Sequence, residues 1–107
     1  MEAMAKPKRS ERRERDRAQA KLAKDLERLW KLGPGGSPER PIAITSPSEV
    51  EVLAKSTRCP ICQGELRVEE HAAETLGSVR LRVARVVCVL CRAPRSIYFQ
   101  LRATTLN

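Results

Sequence analysis

The chain of 107 residues carries 21 Lys and Arg against 13 Asp and Glu, a formal charge of +8, with four Cys, one His, and Trp30, Tyr98 and Phe99 as its aromatic residues. A chain of this size holds at most one ordinary domain, and so few aromatics leave little for a large apolar core or an enclosed substrate pocket. No apolar run approaches the roughly 18 residues needed to span a bilayer, and the N-terminal segment lacks the apolar stretch of a secretory signal, so a soluble cytoplasmic protein is expected, nuclear if the source is eukaryotic.

Residues 1–9 read as a disordered basic tail and residues 10–32 as a basic amphipathic helix. Ser10 is placed to cap it, Glu11 and Glu14 complement the N-terminal dipole, and Gly33-Pro34 stops it. Glu11 with Arg15 and Glu27 with Lys31 have favourable i,i+4 spacing. Leu22, Leu26, Leu29 and Trp30 form a narrow stripe on its second half, too short for an independent coiled coil and suited to docking on the rest of the chain, a partner or a second copy.

Residues 33–46 read as a flexible Pro/Gly-rich linker, with Ile42 and Ile44 able to form one short extended stretch. Ser46-Pro47-Ser48-Glu49 then has the form of a capping box, which predicts a short helix within residues 47–56. The alternation Glu49-Val50-Glu51-Val52 leaves an extended lead-in as the competing reading.

The cysteines carry the chemistry. Cys59-Pro60-Ile61-Cys62 and Cys88-Val89-Leu90-Cys91 are two C-x-x-C pairs, and each can turn two thiolates toward one ion. No Cys is left over. Two disulfides are disfavoured in a reducing compartment, and a dithiol redox role lacks its usual βαβ context. Between and after the pairs, Glu65–Glu69, Ser78–Val83 and Ser96–Leu101 alternate or are rich in β-formers, with Gly77 and Ser78 in the turn region.

Knuckle, hairpin, knuckle and strand together resemble the zinc ribbon family over residues 57–102, within a domain of residues 57–107. The resemblance implies a three-stranded antiparallel sheet with one structural Zn²⁺ held by Cys59, Cys62, Cys88 and Cys91. The fold class expected for the chain is therefore a small metal-stabilised α+β protein. Ribbon knuckles often place Gly directly after the second Cys, where φ is positive. Gln63 and Arg92 stand there instead, which predicts a different turn in the second knuckle. Four thiolates also suit a single iron centre, but rubredoxins imply an acidic shell, so zinc is expected.

His71 sits among Glu69, Glu70 and Glu74 and reads as part of a polar hairpin end. Four sulfurs saturate zinc and leave no position for an activated water, and the sequence supplies no nucleophile or paired acid and base, so no enzyme is expected. Binding remains. Arg80 and Arg82 project from one sheet face, which Arg67 would extend if the register allows, and Arg92 and Arg95 flank the second knuckle. With Arg12 and Arg13 on the helix they make a candidate surface for nucleic acid or a nucleoprotein complex. A protein-interaction adaptor docking through Leu22, Leu26, Leu29 and Trp30 is the alternative. Neither a membrane nor a small-molecule substrate is expected.

Overall fold

The computed structural model describes residues 8–102, so residues 1–7, which hold most of the expected tail, and residues 103–107 lie outside the described part. In chain order the elements are α1 (Arg9–Leu32), β1 (Ile42–Ile44), α2 (Glu49–Ser56), β2 (Leu66–Leu76), β3 (Val79–Cys88) and β4 (Pro94–Leu101). No helix among the described residues is long and apolar enough to cross a membrane.

Helix α1 starts one residue before the expected cap. Lys8 is the N-cap, and the Glu11 carboxylate reaches back to accept its backbone N–H at 3.2 Å. At the other end Gly33 N–H donates to the carbonyls of Leu29 and Trp30, both at 3.1 Å, and Arg40 Nη1 donates to Leu32 O at 3.1 Å. These bonds satisfy carbonyls that a helix end leaves open. No side chain of α1 is buried.

Where the sequence suggests a linker, the chain is tied to the sheet. Tyr98 N–H donates to Gly35 O at 2.9 Å, and both Gly35 and Gly36 are buried. Gly35 has φ +76, and a Cβ at Gly36 would lie 1.8 Å from Trp30 O, so only glycine lets the chain fold back against the end of α1.

The sheet has the order β1-β4-β3-β2. β1 runs parallel to β4 with Ile42 opposite Phe99, while β2 with β3 and β3 with β4 are antiparallel. This corrects the expected three-stranded antiparallel ribbon: the sheet has four strands and is mixed. The addition is the Ile42–Ile44 stretch, whose two isoleucines match the side-chain period of β4 and place Ile44 in the core.

The hairpin is longer than its sequence pattern suggests. Leu76 pairs with Val79 across a two-residue turn in which Gly77 has φ +62, and a bulge between Val68 and Glu70 shifts the pairing. The bulge reverses the phase of alternation along β2. The Glu69–Glu74 run, expected as a polar hairpin end, therefore lies within β2, with His71 opposite Ala84.

Helix α2 forms in place of the strand alternative, because burying Val50 and Ala54 requires helical spacing. Its start follows the expected box in part. Glu49 Oε2 accepts the N–H of Ser46 at 2.9 Å and the N–H and hydroxyl of Thr45 at 2.6 and 3.0 Å. These bonds hold the Glu49 carboxyl below its ordinary value, the Thr45 N–H having the largest effect. α2 covers one sheet face, where Val50, Ala54, Leu66, Ala84, Val86, Ile97 and Phe99 make the core with Ile44, and Trp30 packs against it from α1.

Candidate metal centre

Cys59 closes the lead-in from α2, Cys62 follows after a tight turn, Cys88 is the last residue of β3, and Cys91 precedes β4. The four Sγ atoms lie within 4.8 Å of one another. Cys59 Sγ is 3.7 Å from Cys91 Sγ, and Cys62 Sγ is 3.3 Å from Cys88 Sγ. A disulfide requires about 2.05 Å, so the sulfurs are unbonded. A tetrahedral ion with metal–sulfur bonds of about 2.3 Å places its sulfurs roughly 3.8 Å apart. The donor set and its spacing fit one such ion.

The two knuckles are built alike. Gln63 N–H donates to Cys59 O at 2.9 Å and Arg92 N–H to Cys88 O at 3.0 Å. Gln63 has φ 63 and Arg92 has φ 60. The second knuckle thus makes the same left-handed turn as the first, against the expectation of a different one, and both accept the strain of a side chain there. A second pair of bonds repeats, Cys59 N–H to Gly64 O at 2.9 Å and Cys88 N–H to Ala93 O at 3.2 Å. Val89 N–H donates to Glu65 O at 3.0 Å and ties one knuckle to the other. A Cβ on Gly64 would stand 2.7 Å from Cys88 Sγ, so glycine lets the first knuckle approach the ligand of the second. The pairing pattern of the Cys residues gave no indication of that role for Gly64.

Backbone donors lower the thiols of Cys59 and Cys88. Cys88 is lowered to about 6, chiefly by the Cys91 N–H and then, against burial, by the Leu90 N–H and the thiols of Cys62 and Cys91. Burial raises Cys59, but the N–H groups of Cys62 and Ile61 and the neighbouring thiols outweigh it and lower the group. Cys91 is pushed up to about 11: the Ala93 N–H opposes the rise, and burial with the thiols of Cys88, Cys62 and Cys59 overcomes it. A divalent cation bound by the sulfurs would displace the thiol protons.

Arg95 connects this centre to α1. Its side chain is 4% exposed, and its Nη2 and Nη1 donate to Glu27 Oε1 and Oε2 at 2.7 and 3.2 Å. The guanidinium carbon lies 4.9 Å from the Trp30 ring centroid, and Nη2 approaches Cys59 Sγ at 3.8 Å. Glu27, read from the sequence as a partner for Lys31, is turned inward to Arg95. No local sequence pattern joins residues so far apart in the chain.

The other candidate binding residues are dispersed. Arg80 and Arg82 lie on one face near the hairpin turn, opposite Thr75 and Ala73. Arg67 pairs with Val87 near the four-cysteine end, which puts it on the other face of the sheet, beside Glu69 at 3.0 Å. Arg92 is exposed in its knuckle, and Arg12 and Arg13 are exposed on α1. Leu22 and Leu29 are 58% and 65% exposed, Leu26 and Trp30 half-buried. Comparison of the chain with family models, with curated proteins and with solved structures finds no match among any of them.

Proposed function

We propose that the chain is a non-enzymatic binding module in which one structural Zn²⁺ on Cys59, Cys62, Cys88 and Cys91 holds the ribbon together, and that it associates with nucleic acid or a nucleoprotein complex. The observation that carries the metal reading is the four-sulfur cluster, completed by two equivalent knuckles with no other ligand in reach among the described residues. Four thiolates saturate a zinc ion, so no water would be activated on it. The association is supported by α1, whose nine basic and five acidic side chains are presented with none buried. The dispersal of the sheet arginines moves the weight of the binding reading from the ribbon to this helix.

The experiment pairs metal analysis with binding. Protein purified without added metal should hold one zinc per chain and retain nucleic-acid fragments at 50 mM salt that it releases at several hundred millimolar, as phosphate contacts require. A folded, metal-free protein, or one that retains no nucleic acid at low salt, would refute the respective half of the proposal.

The exposure of Leu22 and Leu29 favours a second reading, an adaptor that takes a protein partner on the leucine stripe. Trp30 is already engaged by Arg95 and the core, so such a partner would rest on the leucines. Leu22→Ala with Leu29→Ala would release a protein partner held this way and leave nucleic-acid retention unchanged.

A further inference from the structure

Arg9, Arg13, Arg17, Lys21, Lys24, Arg28 and Lys31 recur along α1 at steps of three and four, and every one of them is exposed. At 3.6 residues per turn they share an arc of about 120°, and at 1.5 Å per residue they extend over about 33 Å. Glu11, Glu14, Asp16 and Asp25 fall outside that arc. Glu27 stands at its border, and Arg95 draws its carboxylate toward the sheet. None of the seven cations has an ion-pair partner among the described residues. The result is one row of positive charge, joined at its lower end to a groove lined by Ala23, Lys24, Arg28, Lys31, Ile61 of the first knuckle and Glu27, whose charge Arg95 offsets.

We infer that this row is a surface for the sugar-phosphate backbone of a nucleic-acid duplex, DNA or RNA, which it grips without reading sequence. The inference rests on the nucleic-acid reading above and narrows it. A straight row about 33 Å long matches about one helical turn of a duplex, whose phosphates are held in a fixed array. A single strand offers no such array, and proteins that hold one depend on exposed aromatic rings for base stacking. Here Phe99 is fully buried, Trp30 is half-buried with Arg95 over its ring, and Tyr98 is half-buried in β4. The leucines 22, 26 and 29 lie on the far side of the helix from the cations. Those leucines are confined to the second half of α1, so most of the row has no apolar face behind it to bury in a membrane, where binding scales with buried apolar area.

The test uses the full chain with labelled 20-base-pair DNA and RNA duplexes and a 20-nucleotide single strand. At least one duplex should bind 10-fold or more tighter than the single strand, with log K falling by about 4 or more per decade of salt. Arg13→Glu, Arg17→Glu and Lys21→Glu together should weaken duplex binding at least 30-fold and flatten the salt slope by about 3. A variant of equal charge, Lys55→Glu, Arg58→Glu and Arg102→Glu, at exposed positions away from α1, should lose under 5-fold, and thermal melting of both would show that the fold is kept. Equal losses from the two triple variants would overturn the row as the site, and single-strand binding as tight as duplex binding would overturn the duplex, each leaving the broader nucleic-acid reading intact. No binding of any of the three probes at 50 mM salt would overturn both.

Discussion

Arg95 and Glu27 meet as a fork-to-fork ion pair, at 2.7 and 3.2 Å, with the arginine buried and the glutamate 41% exposed. The same guanidinium lies over Trp30 and reaches toward Cys59. One side chain of β4 therefore fixes α1 at two points and touches the four-cysteine cluster at a third. Arg95→Ala should lower stability by about 2 kcal/mol, within the range for losing a charged hydrogen-bonded group whose partner can still reach water. Arg95→Lys should recover only part of it, because an ammonium cannot span both carboxylate oxygens. Urea unfolding followed by Trp30 fluorescence, in a double-mutant cycle with Glu27→Gln, would measure the coupling; additive effects would contradict the pairing.

The paired left-handed turns give a prediction of opposite signs. Gln63→Gly and Arg92→Gly relieve a side chain at φ 63 and φ 60 and should each raise stability by about 0.5–1 kcal/mol, after the entropy glycine loses on folding. Gly64→Ala should do the reverse and speed loss of metal to a chelator, since its methyl would meet Cys88 Sγ. Melting temperatures and the rate of zinc release to a colorimetric chelator read both.

Glu49 gives the chain an acid-sensitive joint. Its carboxyl is lowered in the folded state, first by the Thr45 N–H and then by the N–H of Ser46. A depressed folded value means that the stabilisation is present above the unfolded value, about 4.3, and is lost as pH falls through the lower folded one. Between pH 5 and 3 the melting temperature of the wild type should therefore fall more steeply than that of Glu49→Gln. Parallel curves would show that the three bonds contribute nothing in solution.

Removal of the proposed zinc should unfold the sheet that the four cysteines join. Structural zinc supplies on the order of 10 kcal/mol in small sites, and the core of this chain has Phe99 as its one fully buried aromatic residue. Cys59→Ser, Cys88→Ser or excess chelator should abolish the β-sheet signal in circular dichroism while leaving helical signal from α1. A retained sheet would mean that the core suffices alone.

The cysteine spacing and the presence of β2, β3 and β4 could be read from the sequence because C-x-x-C pairs and period-two alternation are local signals. Local signals also located both helices to within two residues. What escaped was non-local. Ile42 and Ile44 gave the extended stretch but not its parallel partner, which depends on how the intervening chain returns. The bulge after Val68 inverted the alternation and disguised His71 as a loop residue, and its Nε2 is buried without a hydrogen-bond partner. Arg95 looked like any arginine beside a knuckle, since its partners, Glu27 and Trp30, sit at the other end of the sequence.

The order of the strands also governs how the molecule assembles. β4 comes last among the described elements, yet it occupies the interior of the sheet between β1 and β3. β1 has no lateral partner, and the Gly35 carbonyl no donor, until β4 arrives. The knuckle-to-knuckle hairpin can zip early from the Gly77 turn, but seating of the N-terminal third must wait for the segment that contains Arg95, a long-range closure of the slow-forming kind. Loss of β4 would thus open the sheet in its middle and free α1 in the same event, whereas loss of β1 would strip only a margin.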